Sequence, residues 1–106
     1  MSSQDTFLLT IFLKHDQSRT LEELWAEQDK NGFWKSFPPE GIEIESWYVM
    51  MGIGQVVILK VPASRLQEVN LAVEKTAWST FRTEFYPTFD FMEIARQRRE
   101  AAMEAG

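Results

Sequence analysis

Cysteine is absent from the 106 residues of this sequence. Without thiols the chain can form no disulfide, thiolate nucleophile, cysteine-ligated zinc site or iron–sulfur cluster. Histidine occurs once, at His15, and the carboxylates follow neither an EF-hand nor an H-E-x-x-H spacing, so we predict no metal site. Gly52 and Gly54 match neither the dinucleotide-binding nor the P-loop pattern. We therefore expect no cofactor.

Basic residues are scarce, with 11 Lys and Arg against 16 Asp and Glu and a formal net charge of −5. This balance repels phosphate backbones, and no basic stripe interleaved with aromatic residues is present, so we expect no nucleic-acid partner. The cationic cluster of Arg96, Arg98 and Arg99 is mixed with glutamates, a pattern typical of a solvated helix.

Long hydrophobic runs are missing as well. No stretch approaches the roughly 20 apolar residues of a membrane span, so we expect no membrane partner. Residues 1–5 lack the basic region of a secretory signal, and the apolar run from Phe7 to Leu13 is too short for its hydrophobic region. We expect a cytoplasmic protein.

The residues that are present suit one folded domain. Hydrophobic residues make up 44% of the sequence and aromatic residues 13%, which is enough for a core in a chain of this length. We predict a single domain over 1–106, with its core at 5–91 and a C-terminal helix or tail at 92–106.

Four segments have the composition of β-strands. Their β-branched and aromatic residues mark strands at Thr6–His15, Ile42–Met51, Gln55–Val61 and Phe81–Tyr86. Gly52 and Gly54 favour a hairpin between the second and third strands. Pro87 is expected to end the fourth strand.

Two helices are predicted between these strands. The first begins after Thr20, which forms a capping box with Glu23, and ends near Gly32. The second is capped by Ser64, with Gln67 at the capping-box position. The resulting order, β-α-β-β-α-β, is the α+β ferredoxin-like arrangement, an antiparallel sheet with two helices on one face.

The first and third strands carry large apolar side chains on both of their faces, although helices on one side of a sheet cover only one face. The residues of the second face are Leu8, Phe12, Val56 and Ile58. Leaving each in water forgoes roughly 1.5–3 kcal/mol. We predict that a second copy of the sheet covers this face in a twofold homodimer, the C-terminal segment being the alternative cover.

Several short motifs between Trp47 and Phe91 carry a family likeness. They are Trp47-Tyr48-Val49, Gly52-Ile53-Gly54, Val61-Pro62-Ala63 and Phe85-Tyr86-Pro87. With them the sequence resembles the dimeric α/β-barrel superfamily, most closely its muconolactone-isomerase-like and small cofactor-free monooxygenase-like branches. The resemblance implies two ferredoxin-like protomers with their sheets together and a pocket for a small apolar or aromatic ligand, without choosing that ligand.

His15 is the first candidate for catalysis, because histidine is the side chain that ordinarily exchanges protons near neutrality. It ends the first strand, where this fold exposes side chains to a cleft. Asp16 is not expected to orient it, because adjacent strand residues point to opposite faces. The alternative is a solvated strand-end histidine.

A second group of candidates shares one face of the fourth strand. Arg82, Glu84 and Tyr86 follow one another there at about 6.5–7 Å. Arg82 and Glu84 can pair, and the Tyr86 hydroxyl adds to a polar wall for a carboxylate or phenol. We assign Arg82 and Tyr86 as catalytic candidates and Glu84 as ligand-binding, the alternative being a salt bridge between protomers.

Trp34 and Trp47 are candidates for lining a ligand, because the tryptophan N–H needs a polar partner and places the ring at boundaries. Core packing is the alternative for the aromatic residues.

Two functions remain open. The first is a cofactor-independent isomerase or monooxygenase acting on a small aromatic or lactone-like acid, with His15 carrying the proton and Arg82 or Tyr86 holding the oxyanion. The second is a non-catalytic ligand-binding or assembly protein whose polar residues stabilise the dimer. We expect any activity in the space between the sheet, the first helix and the aromatic segment at 33–37.

Overall fold

The computed structural model describes residues 5–105. Residues 1–4, on which the expectation about a secretory signal partly rests, and residue 106 of the predicted tail lie outside this range. Within it the chain forms an α+β fold of four strands and four α-helices. In chain order they are β1 (Thr6–His15), α1 (Leu21–Asn31), α2 (Phe33–Ser36), β2 (Glu43–Met50), β3 (Gly54–Pro62), a 3₁₀ turn (Ala63–Arg65), α3 (Leu66–Thr76), β4 (Phe81–Thr88) and α4 (Met92–Ala105).

The strands form one antiparallel sheet in the order β2-β3-β1-β4. The two central strands, β1 and β3, pair Leu9 with Leu59 and Ile11 with Val57. These four side chains point to the same face and are buried. The sheet register therefore places the odd-numbered residues of the central strands in the core.

The core lies between this face of the sheet and the helices. Val69 and Val73 of α3 and Phe33 of α2 join the buried strand residues in one cluster. The smallest extent of the Cα atoms is 15 Å, which has room for two layers of secondary structure. The other face of the sheet therefore has no third layer within the described residues.

The predicted start and end of α1 are confirmed. The Glu23 backbone N–H donates to Thr20 Oγ1 at 3.1 Å, and the Thr20 N–H donates to Glu23 Oε1 at 2.8 Å. Gly32 ends the helix with a left-handed φ of 76°, a conformation that glycine adopts without steric cost.

The predicted cap of the second long helix is wrong. Ser64 lies inside the 3₁₀ turn, and α3 begins at Leu66 without a side-chain cap. The 3₁₀ turn connects the end of β3 to the start of α3, so the helix begins two residues after Ser64.

The predicted end of the fourth strand is also wrong, since β4 continues through Pro87 to Thr88. β4 is an edge strand with a single neighbour, β1. The Pro87 nitrogen, which has no hydrogen to donate, can therefore face away from β1 without costing the sheet a hydrogen bond. Two features were not predicted: the short helix α2, and an irregularity of register between Ile44 and Ser46 in β2.

The C-terminal helix α4 stands apart from the rest of the fold. Between Met92 and Ala105 no side chain is buried, and the predicted solvated cluster of Arg96, Arg98 and Arg99 is exposed. The Cα radius of gyration is 17.3 Å, whereas a compact domain of this length has about 13 Å. None of the helices in the described range is both long and apolar enough to cross a membrane.

Candidate functional site

The face of the sheet that points away from the core is called the open face. Its residues on the three strands around β1 are Leu8, Thr10, Phe12 and Lys14 (β1), Val56, Ile58 and Lys60 (β3), and Arg82, Glu84, Tyr86 and Thr88 (β4). None of these side chains is buried. The open face therefore has an apolar centre, and charged residues gather where β1 and β4 meet.

Glu84 is the hub of that charged group. Lys14 Nζ lies 3.0 Å from Glu84 Oε2, and the Tyr86 hydroxyl donates to Glu84 Oε1 at 3.1 Å. The hydrogen bond from Lys14, followed by that from Tyr86, lowers the pKa of Glu84. The same bond to Glu84 raises the pKa of Tyr86. The carboxylate is thus held ionised and the phenol held protonated.

The cation that pairs with Glu84 is Lys14, not Arg82 as the sequence suggested. Arg82 precedes Glu84 by two residues on the same strand, whereas Lys14 reaches the carboxylate from β1. Lys14 was not among the predicted site residues. Strand alternation places Lys14 on the same face of β1 as Leu8 and Phe12, and this is the sequence signal that could have predicted its place on the open face.

A second candidate site lies at the end of the sheet, where β1 leaves for α1 and the loop after α3 enters β4. We call it the strand-end cleft. It has a volume of about 320 Å³ and is lined by His15, Asp16, Gln17, Trp78, Ser79, Phe81 and Arg82. Two of the three predicted catalytic residues, His15 and Arg82, line this cleft. The register pairs His15 with Phe81 and Lys14 with Arg82, so the His15 and Arg82 side chains start from opposite faces of the sheet.

Three of the seven residues that line the strand-end cleft carry aromatic rings: His15, Trp78 and Phe81. The His15 ring lies 5.5 Å from that of the buried Phe81, between ring centroids. The His15 backbone N–H donates to the Ile53 carbonyl at 2.9 Å, which anchors the end of β1. Trp78, which also lines the cleft, is largely exposed. Its position on a loop without periodicity gave no signal in the sequence.

The Asp16 carboxylate makes its hydrogen bonds within the turn that follows β1. Its carboxylate accepts the Ser18 hydroxyl at 2.6 Å and the Ser18 backbone N–H at 3.0 Å. These bonds, the side-chain bond first, lower the pKa of Asp16. Asp16 therefore stabilises the turn before α1 and has no hydrogen bond to His15, as the strand geometry suggested.

Tyr86 does not reach the strand-end cleft. It lies four residues beyond Arg82 on β4, which corresponds to about 13 Å along the strand. The Tyr86 hydroxyl is instead engaged by Glu84 on the open face. The predicted catalytic residues are thus divided between two places.

Trp34 and Trp47 meet each other on the helix side of the sheet. Their rings stack with 5.5 Å between centroids and 18° between planes. Trp47 Nε1 donates to Gln55 Oε1 at 2.6 Å, which supplies the polar partner that its N–H needs. Trp34 remains half exposed.

The space beside this stacked pair, where we expected an activity, is filled by side chains. Phe33 is 0% exposed, and its ring lies 5.2 Å from Phe37, 5.8 Å from Phe81 and 6.5 Å from Trp47. Phe33 stacks on Phe37, and Trp47 meets both rings edge to face, so the rings pack against one another. The geometry therefore favours core packing for Phe33 and Phe37.

The described residues contain no group of three or more histidine, aspartate and glutamate side chains placed to hold a metal ion. The chain matches no protein-family model, no curated protein and no solved structure.

Proposed function

We propose that this chain is a ferredoxin-like protomer that pairs with a second copy through its open face as a dimeric α/β barrel, and that it binds a small aromatic or lactone-like acid in the strand-end cleft. The proposed activity is a cofactor-independent isomerase or monooxygenase reaction. The observation that carries it is that His15 and Arg82 both line one cleft at the end of the sheet.

The sheet supports the fold and the dimer. The order β2-β3-β1-β4 with antiparallel neighbours is the one that a β-α-β-β-α-β chain adopts in the ferredoxin-like arrangement. On the open face, Phe12 and Val56 lie directly opposite each other and remain accessible. A second copy would remove this apolar centre from water.

The cleft offers the three elements that a small acid requires. The Arg82 guanidinium can hold a carboxylate through two hydrogen bonds. Trp78 and Phe81 supply apolar ring surface, and the volume of about 320 Å³ suits a single-ring ligand. His15 can take a proton from the bound acid, which is the step that both proposed reactions share.

The alternative function is a non-catalytic ligand-binding or assembly protein. It is favoured by the bonds that Lys14 and Tyr86 both make to Glu84, because these polar side chains then need no ligand to pair with. In this case the polar residues of β4 fix the register of the dimer.

Binding is tested by titrating phenylacetate and a butenolide that carries an acetate side chain into ¹⁵N-labelled protein and following the amide signals. We expect shifts at residues 15–17 and 78–82, which are lost in Arg82→Met and retained in the matched control Arg98→Met on the exposed face of α4. Shifts elsewhere, or shifts that persist in Arg82→Met, contradict the proposed site.

Catalysis is tested with the same ligands in D₂O. A base that removes a carbon-bound proton exchanges it for deuterium, so the ligand's α-proton signal should decay with the protein and not with His15→Gln. Binding without exchange supports the non-catalytic alternative.

A further inference from the structure

Trp78 carries the most accessible aromatic ring of the strand-end cleft. It is 61% exposed, whereas Phe81 is 3% exposed. The Phe81 ring already lies 5.5 Å from His15 and 5.8 Å from Phe33, between ring centroids. Among the described residues, no other aromatic ring is paired with Trp78. A ligand in the cleft therefore finds its open ring surface at Trp78.

The backbone that carries this exposed ring is fixed. Residues 77–80 are called the Trp78 loop. The N–H groups of Thr80 and Phe81 both donate to the Ala77 carbonyl, at 3.1 Å and 2.8 Å. Ala77 and Thr80 are themselves 0% exposed. The loop thus closes as a turn with both ends in the core, and it presents Trp78 from a held backbone.

Side chains of α1 and of the turn before it hold the residue next to Trp78. Arg19 Nη1 donates to the Ser79 carbonyl at 2.9 Å, and Asn31 Nδ2 donates to Ser79 Oγ at 3.1 Å. Arg19 also pairs with Glu27. The Ser79 side chain, followed by Arg19, lowers the pKa of Glu27 through hydrogen bonds. We call Arg19, Glu27 and Asn31 the clamp, because together they tie the Trp78 loop to α1.

A ring on a held backbone is well suited to binding. Tryptophan offers a large, rigid contact area with only two side-chain torsions to restrict. A surface that is ordered before the ligand arrives has less freedom to lose on binding. The clamp therefore favours ring stacking at Trp78.

Most polar side chains that line the cleft are already engaged. Gln17 Nε2 donates to the Gly52 carbonyl at 2.8 Å. The Asp16 carboxylate accepts its hydrogen bonds within its own turn, and Ser79 is held by the clamp. These side chains therefore serve the structure of the cleft before they serve a ligand.

His15 and Arg82 are the polar side chains of the cleft that remain for a ligand. The Arg82 guanidinium suits one carboxylate, and His15 suits one proton transfer. Any further polar atom on the ligand needs a partner of its own when it leaves water. A lactone ring brings two such oxygens, whereas a hydrocarbon ring brings none. The cleft thus favours a ligand with one carboxylate and one apolar ring.

We propose that Trp78 determines the ligand class of the strand-end cleft, its indole face stacking on the ring of an aromatic monocarboxylic acid whose carboxylate Arg82 holds. The clamp residues, none of which lines the cleft, are positioning residues that act through the Trp78 loop. This inference rests on the proposed function, since it takes the strand-end cleft as the ligand site. It selects the aromatic acid over the lactone-like acid.

The first test compares phenylacetate with cyclohexylacetate, which carries the same carboxylate on a saturated ring of similar size. We define the aromatic preference as the dissociation constant of cyclohexylacetate divided by that of phenylacetate, both measured by ¹⁵N NMR titration. Ring-on-ring contact strengthens binding by roughly two- to tenfold beyond the area that it buries. Trp78→Leu should lower the aromatic preference by this factor, and Trp78→Phe should restore part of it. A preference that Trp78→Leu leaves unchanged overturns the inference.

The second test addresses the clamp. Arg19→Met removes the guanidinium that holds Ser79, and it should lower the aromatic preference at least twofold. Arg65→Met is the matched control, because Arg65 also pairs with a glutamate but lies before the start of α3, at the opposite end from the Trp78 loop. A general loss of stability affects both ligands alike and leaves the ratio unchanged. If Arg19→Met does not fold, Asn31→Ala removes a different bond to Ser79. An unchanged ratio in the folded clamp variant overturns the positioning role.

Failure of the inference is distinguishable from failure of the proposed site. If neither acid shifts the amide signals of residues 15–17 and 78–82, the proposed ligand site fails and the inference fails with it. If both acids bind there and lose affinity in Arg82→Met while the ratio ignores Trp78, the inference fails alone. A butenolide acid that binds more tightly than phenylacetate also contradicts the assigned ligand class.

Discussion

Lys14 and Glu84 form an ion pair between β1 and β4, with Lys14 Nζ 3.0 Å from Glu84 Oε2, although the residue directly opposite Lys14 in the ladder is Arg82. The Lys14 side chain reaches Glu84, two residues further along β4, and so points away from the positively charged Arg82 opposite it. Arg82 has no ion pair among the described residues, and it is one of the residues that line the strand-end cleft.

The same offset recurs twice along the open face. Phe12 makes an edge-to-face contact with Tyr86, 5.8 Å away, and the hydroxyls of Thr10 and Thr88 lie 2.6 Å apart. In each pair the contact is made with the residue two beyond the direct opposite. The right-handed twist of adjacent strands favours one diagonal over the other and accounts for the repetition.

The first prediction concerns acid stability. Because the pKa of Glu84 is lowered in the folded chain by Lys14 and Tyr86, its ionised form stabilises the fold above the ordinary glutamate pKa of about 4.3. This contribution is lost as the pH falls through the lowered pKa. Between about pH 5 and pH 3 the free energy of unfolding should decrease less in Glu84→Gln than in the unmodified chain.

Urea unfolding followed by tryptophan fluorescence at several pH values measures this difference. The variant will still lose some stability in acid, because hydrogen bonds also lower the pKa values of Asp16 and Glu23. Equal losses in the two proteins would show that Glu84 is not a source of the acid sensitivity.

The second prediction separates a real helix cap from an apparent one. Thr20→Ala removes the hydroxyl that accepts the Glu23 N–H, so the free energy of unfolding should fall by about 1 kcal/mol. Ser64→Ala is the matched control, because Ser64 lies in the 3₁₀ turn and α3 has no side-chain cap. Urea denaturation of both variants checks the difference, and comparable losses would refute it.

These two caps show how far local sequence signals reach. β1 occupies Thr6–His15 as predicted, and α1 begins after Thr20, because alternation and the capping box act among neighbouring residues. The Ser64 motif has the same local form, but its prediction of a helix cap was wrong, because a 3₁₀ turn follows β3 at that point. Pro87 failed as a stop for the same kind of reason, since its tolerance depends on the position of β4 at the edge.

The candidate site was harder to predict because it depends on pairing between distant strands. That Arg82, Glu84 and Tyr86 share a face follows from alternation alone. That Glu84 takes Lys14 as its partner depends on the register and twist of β1 against β4. That His15 and Arg82 line the same cleft likewise depends on β1 ending, and β4 beginning, at the same edge of the sheet.

The third prediction concerns the hairpin glycines. A Cβ atom built at Gly54 would lie 2.1 Å from the Leu13 carbonyl oxygen, so Gly54→Ala must push β1 and β3 apart. We expect a loss of about 2 kcal/mol or more in the free energy of unfolding. Gly52 has a left-handed φ of +79° but open space around it, so Gly52→Ala should cost only about 1–2 kcal/mol. Thermal or urea unfolding ranks the pair, and a Gly52 variant that is the less stable of the two would contradict the predicted close approach.

The last prediction distinguishes two adjacent aromatic residues that the sequence presents as equals. Phe33 is fully buried and its ring is surrounded by Phe37, Trp47 and Phe81, whereas half of Trp34 is in water. Phe33→Ala should therefore lower the free energy of unfolding by about 3–5 kcal/mol, because it leaves a cavity among rings that cannot collapse into it. Trp34→Ala should cost clearly less, since it removes a stacking partner from the surface. Urea unfolding measures both, and Phe33→Leu provides a smaller, graded loss if the alanine variant does not fold. A Trp34 variant as unstable as the Phe33 variant would mean that the stacked tryptophan pair, not Phe33, holds the aromatic cluster together.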